Sequence, residues 1–157
     1  MMSGDSSNRL RFLPVGLDVR GKRCLIVGGG DVGTRKALTL WRAGAAVTVV
    51  SPALTAKLTE QVEAGRLRWV REKFREEHLD GAFLVVAATD DEDSNAVVVR
   101  LAVRAGLPVC DASSAERSSV IFGALLQRDD VTVAVFTDGR DPAQSRRTRD
   151  RIADLLD

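Results

Sequence analysis

No apolar run in this chain of 157 residues approaches the ~20 residues that a membrane-crossing helix needs. The opening stretch, Met1 to Arg11, is polar and lacks the apolar centre of a signal peptide. The expectation is a cytoplasmic protein with no membrane partner. Excess charge is also missing: 23 basic residues stand against 22 acidic ones, so no global field recruits nucleic acid and any charge recognition is local. Cysteine is scarce. Cys24 and Cys110 sit in apolar runs, where a thiol behaves as a small hydrophobe, and a chain of this length buries a core without disulfides. His78 is the only histidine and falls in a polar turn, where it reads as a surface residue. No His, Cys and Asp cluster has metal-ligand spacing, so no metal is expected. A nucleophile elbow, a Walker lysine, internal repeats and low-complexity tracts are absent too.

What is present alternates strand and helix. Met1 to Asn8 is rich in Ser, Gly and Asp and is expected to be disordered, with the ordered chain starting near Phe12-Leu13-Pro14. Arg23-Cys24-Leu25-Ile26-Val27 is a continuous apolar run bounded by Gly21 and Gly28, suited to a strand buried on both faces. From Val32 to Ala43 the apolar period is helical, with Gly44 as the stop. A strand at Ala46 to Val50 follows, then a helix opened by Pro52 and running to about Ala64, then a short strand at Leu67 to Val70. Ala82 to Ala87 is a further strand, Asp91 to Ala105 a helix, and Pro108-Val109-Cys110 a last short strand. Parallel strands need such long crossovers, so the fold class is α/β, with a parallel sheet and helices on both faces. Beyond about Ala115 the rhythm breaks. Strands at Ser119 to Leu126 and Val131 to Thr137 flank a polar turn, Gln127 to Asp130, and an Arg-loaded helix runs from Pro142 to Leu156. Three regions result: an amino-terminal stretch 1–11, a sheet domain 12–114 and a small β-β-α region 115–157.

Gly28-x-Gly30-x-x-Gly33 lies between the first strand and the first helix, the context that makes this pattern informative. Gly28 permits the tight turn, Gly30 lets backbone approach a pyrophosphate, and Gly33 lets helix lie close to strand, which makes the domain Rossmann-type. Free N–H groups opening the helix attract the anion; the alternative is a structural turn with no ligand. After the second strand, where a dinucleotide site often carries an acid for the adenosine ribose, the chain reads Ser51-Pro52 with no arginine beside it. The cofactor expected is NAD, with NADP left open. Thr89 and Asp90 end the fourth strand at the carboxyl edge, where they can touch a cofactor or cap the next helix. Arg140, Arg146, Arg147, Arg149 and Arg151 mingle with Asp141, Asp150 and Asp154, either as a salt-bridged solvated face or as a site for a polycarboxylate.

The string Phe12-Leu13-Pro14, Cys24 through Val32, Arg35-Lys36-Ala37, Ala43-Gly44-Ala45, Ala87-Ala88-Thr89-Asp90-Asp91 and Asn95 resembles the precorrin-2 dehydrogenase family, which includes the amino-terminal module of bacterial sirohaem synthase. The likeness covers about residues 12 to 155. It implies an NAD-dependent oxidoreductase that converts precorrin-2 to sirohydrochlorin on the way to sirohaem, acting as a homodimer through the β-β-α region. It also implies cofactor contacts at Asp31 and Val32, at Pro52 and Ala53, and at Thr89 and Asp90. Where relatives carry a catalytic aspartate in Asn-Val-x-Asp, this chain reads Cys110-Asp111-Ala112-Ser113, which puts Ser113 at the catalytic position. A lone serine is a poor base, and Asp111, on the same face if the segment is extended, is the second candidate. The relatives' Phe-Ile-x-Pro becomes Val120-Ile121-Phe122-Gly123, and the helical region that usually follows has no counterpart after Asp157. Both departures weigh against chelatase activity. The competing expectation is a member that binds NAD or a tetrapyrrole without turnover. A ligand-gating module of the potassium-channel-regulator kind is disfavoured by Ser51, since those modules carry an acid there.

Overall fold

The computed structural model describes residues 9–156; the disorder expected for Met1 to Asn8 lies outside them. The described residues divide into two compact units, Leu17–Val120 and 121–156, the second including 9–16.

The larger unit holds strands β1 (Arg23–Val27), β2 (Ala46–Val50), β3 (Arg68–Val70), β4 (Leu84–Ala87) and β5 (Val109–Asp111), and helices α1 (Asp31–Arg42), α2 (Ala56–Glu63) and α3 (Glu92–Arg104). The strands form one parallel sheet in the order β3-β2-β1-β4-β5. Continuous apolar runs make this possible, because Cys24 to Val27 and Leu84 to Ala87 are buried throughout. Successive side chains alternate between faces. Leu25, Val27, Val85, Ala87 and Val109 meet Val98, Val99 and Ala102 of α3. Ile26 faces the other way, toward Gly33 of α1, where an added Cβ would stand 3.6 Å from Ile26 Cγ2. Right-handed crossovers account for both coverings: the chain leaves β1 in one direction, to β2 and β3, and returns on its other side through β4 and β5. The reversal lies between β1 and β4, and a crevice opens there at the carboxyl ends of the strands.

Three expectations are corrected in this unit. Pro52 does not open a helix: α2 begins at Ala56, because Thr55 is the residue whose hydroxyl accepts from Leu58 N (3.2 Å). Ser51 to Leu54 form instead a loop tied back by Ser51 Oγ donating to Ala53 O (2.7 Å) and by Thr55 N donating to Gly29 O (2.9 Å). The polar turn around His78 contains a 3₁₀ helix at Glu76–Leu79, and its imidazole is largely buried, 10% exposed, rather than on the surface. The strand expected from Ser119 begins at Ala124, since the Ser119 and Val120 amides donate to Val109 O (2.9 and 3.1 Å) and hold that stretch to β5.

In the smaller unit β6 (Ala124–Arg128) pairs antiparallel with β7 (Val131–Val135). Arg128 lies opposite Val131, so the turn is Asp129-Asp130 alone, and Asp129 takes a positive φ of 49°, which a short polar side chain tolerates. Helix α4 (Pro142–Leu155) starts with Pro142 in its first turn and with the Asp141 carboxylate accepting from Gln144 N (2.8 Å).

Thr55 both caps α2 and meets Thr34 Oγ1 at 2.8 Å. Thr55→Ala is expected to lower unfolding free energy by about 1–2 kcal/mol while Thr55→Ser recovers most of it, measured by urea denaturation.

Candidate functional site

The turn after β1 is constrained on three sides and open on a fourth. A Cβ on Gly28, whose φ is +119°, would stand 2.3 Å from Ala88 O; one on Gly29 would stand 2.2 Å from Ala53 O; one on Gly33 would stand 2.1 Å from Gly28 O. None of these fits, so those glycines hold the turn against β4, the Ser51 loop and β1. Gly30 differs. Nothing lies within 4 Å of a Cβ built there, its φ is an ordinary −82°, and it caps α1 without a side-chain bond. The first N–H groups of α1 have no partner within the helix, and the space beside Gly30 is where an anion would meet them. The residues therefore suit a pyrophosphate.

This turn borders a cleft of about 670 Å³ at the carboxyl edge of β1, β2 and β4. Of the expected cofactor residues, Gly28, Gly30, Asp31, Val32, Ser51, Pro52, Thr89 and Asp90 line it, whereas Gly33 and Ala53 do not. Those two act from behind, through the close approaches just described. The Ser51 hydroxyl is already donated to Ala53 O, and Ser51 O accepts from Trp69 Nε1 at 2.9 Å. Lys73 and Phe74, beyond β3, complete the wall and carry no sequence signal, since only the sheet order brings them there. His78 braces their loop: its Nδ1 accepts from Arg75 N at 2.8 Å. Its Nε2 stands 3.2 Å from Glu72 Oε1, and this contact with His78 holds the Glu72 carboxyl below its ordinary value.

Asp111 and Ser113 are not among the cleft-lining residues. The segment is also not extended beyond Asp111: β5 ends there, and a turn brings Ser113 back so that its N and Oγ both donate to Asp111 Oδ1 (2.9 and 2.6 Å). Asp111 Oδ2 accepts from Arg117 Nε at 2.7 Å, with the aspartate side chain wholly buried. The carboxylate in turn raises the pKa of Arg117. Arg117 also reaches Glu92 in the first turn of α3 (3.2 Å). Sequence reading missed this arginine, because nothing in its spacing announces a buried partner.

Cys24 and Cys110 are buried, and desolvation pushes both thiols up to about 11, which leaves them protonated and unreactive near neutrality. Among the described residues no group of three His, Cys, Asp or Glu side chains could hold a metal, and no helix is long and apolar enough to cross a membrane. Of the α4 arginines, Arg149 bonds its neighbour Asp150 (2.8 Å), while Arg146, Arg147 and Arg151 are exposed.

Comparison with known proteins gives concordant matches. Residues 15–124 match a family model described as putative NAD(P)-binding. Siroheme synthase of Photorhabdus laumondii is 39% identical over 145 residues, covering 92% of this chain and 31% of that protein. Siroheme synthase of Methylobacillus flagellatus is 40% identical over 147 residues, covering 94% and 32%. The chain thus spans about a third of the length of these relatives. The solved structure of SirC, a precorrin-2 dehydrogenase, superposes with a TM-score of 0.81 at 32% identity, covering 93% of this chain and 72% of that one.

The glycines separate by role in a testable way. Gly30→Ala is expected to change stability by less than about 1 kcal/mol yet weaken dinucleotide affinity at least about tenfold by filling the anion's space. Gly33→Ala is expected to cost about 1–3 kcal/mol of stability by overpacking. Calorimetric titration and thermal unfolding of the two variants check this.

Proposed function

The chain belongs to the putative NAD(P)-binding family that its residues 15–124 match and to the family of which SirC, a precorrin-2 dehydrogenase, is a solved member; from that premise we propose that it is a cytoplasmic, NAD-dependent dehydrogenase oxidising precorrin-2 to sirohydrochlorin. The observation that carries this reading is the Gly30 cradle, open at the rim of the sheet in a chain that superposes on that enzyme over nearly its whole length.

A bound nicotinamide would supply the acceptor for the hydride that precorrin-2 gives up. The chain's own residues do the rest. The amides opening α1 would hold the pyrophosphate, Ser51 and Pro52 would meet the adenosine ribose with Ala53 supporting them from behind, and Thr89 and Asp90 line the same cleft. No arginine adjoins Ser51 to favour a 2′-phosphate, which supports NAD over NADP. Oxidation also releases a proton. Ser113 is no longer a lone hydroxyl, because Asp111 Oδ1 accepts its hydrogen at 2.6 Å, so once substrate displaces the long 3.3 Å donation from Arg117 Nη2, Ser113 Oγ can take a substrate proton as it passes its own to the carboxylate. Asp111 itself, wholly buried and paired with Arg117, acts through that hydroxyl. Homodimerisation through the β-β-α unit belongs to the same reading, and Leu125 and Val131 remain exposed on its hairpin. The exposed arginines of α4 suit the carboxylates of a tetrapyrrole.

A second reading has one observation in its favour: Ser113 Oγ already receives hydrogens from Asn95 Nδ2 and Arg117 Nη2, each at 3.3 Å. A hydroxyl so occupied fits a protein that binds NAD or tetrapyrrole without turning it over.

Purified protein with NAD⁺ is expected to oxidise precorrin-2, followed by the appearance of NADH absorbance, with NADP⁺ at least about tenfold less effective. Ser113→Ala and Asp111→Ala are each expected to lower kcat about tenfold or more with little change in NAD⁺ affinity. Unchanged rates in both variants would remove the proton-relay assignment. Tight binding without oxidation at any pH would favour the second reading.

A further inference from the structure

Asn95, in the first turns of α3, is 1% exposed and is absent from the cleft wall, yet its side chain joins the two parts of the site. Its orientation follows from its partners. Thr89 N can only donate and Thr89 O can only accept, so the contacts Thr89 N to Asn95 Oδ1 (3.0 Å) and Asn95 Nδ2 to Thr89 O (3.1 Å) fix which end of the amide is which. Thr89 Oγ1 donates to Oδ1 as well, at 2.6 Å. One hydrogen of Nδ2 remains, and it goes to Ser113 Oγ at 3.3 Å. Every donor and acceptor position of the amide is then filled.

The polarity carries forward to Ser113. With Asn95 Nδ2 and Arg117 Nη2 both donating to its oxygen, the serine's own hydrogen is left only Asp111 Oδ1, 2.6 Å away. A side chain that merely capped the β4 to α3 loop would need its three bonds to Thr89 and no fourth. We infer that Asn95 is a positioning residue that couples cofactor wall to proton relay: it holds Thr89 in the shape the dinucleotide meets and turns the Ser113 hydroxyl toward Asp111. The inference rests on the proposed role of Ser113 for its second half, whereas the first half concerns Thr89 alone.

Asn95→Asp preserves size and the Oδ1 acceptor but removes both hydrogens given to Thr89 O and Ser113 Oγ; Asn95→Ser is a smaller companion variant, and circular dichroism checks that each is folded. Asn95→Asp is expected to weaken NAD⁺ binding, measured by calorimetry, about fivefold or more and to lower kcat about tenfold. In a Ser113→Ala background the same substitution should weaken NAD⁺ binding by the same factor but lower kcat no further, the non-additivity of residues acting through one another. Equal kcat losses in both backgrounds, or unchanged NAD⁺ affinity, would overturn the coupling. A wild-type measurement stands beside these: the Thr89 amide, donated to a buried oxygen, should exchange its hydrogen about a hundredfold or more slowly than an unstructured amide, and an unprotected Thr89 would overturn the inference even if the variants fail to fold. If wild-type protein fails to oxidise precorrin-2, the functional reading falls, while the affinity and exchange arms still decide the role of Asn95 at Thr89.

Discussion

A helix that begins in the middle of a sheet's carboxyl edge leaves N–H groups with nowhere to point but outward, and the larger unit is arranged around that condition at α1. Gly30 caps the helix without offering a side chain, so the shortfall is not met from within the protein. Around it, the contacts at Gly28, Gly29 and Gly33 leave no room for a methyl group. Three glycines are there because the protein is crowded, and one because the protein is absent. That distinction is what separates a phosphate cradle from an ordinary tight turn.

The second centre of organisation is a row of hydrogen bonds with a single consistent polarity. Arg117 and Asn95 contain the fixed donors, Asp111 the fixed acceptor, and Ser113 lies between them with its hydrogen directed by elimination. A buried carboxylate left without its guanidinium would carry a heavy desolvation cost, so Arg117 sustains Asp111 in place. Its further reach to Glu92 joins the end of β5 to the start of α3.

How much of this was legible depended on whether a feature is local. The strands from Arg23 and from Ala82 announced themselves as uninterrupted apolar runs, and the glycine turn stood between strand and helix in the order that gives it meaning. Pro52 misled because its fixed φ suits a helix start just as well as a loop, and only the tie from Thr55 N to Gly29 O decides for the loop. Ser119 to Gly123 carry strand-like residues, but hydrogen bonds to Val109 claim the first of them for β5. Lys73, Phe74 and Arg117 were invisible for a common reason: each reaches its place through the sheet order or a turn, and neither leaves a periodic trace. Ser113 and Asp111 read from the sequence as alternative candidates on one face of an extended segment; a turn pairs them by hydrogen bonds instead.

The bond from Thr55 to Gly29 has a kinetic side. It fastens the loop after β2 to the loop after β1, and Ser51 cinches the same segment from within. Two borders of the cleft are thereby stapled before any guest arrives, so little chain entropy is surrendered on docking. Entry and exit of a nucleotide then depend on the making and breaking of its own contacts, with no hinged flap on that side to set the pace.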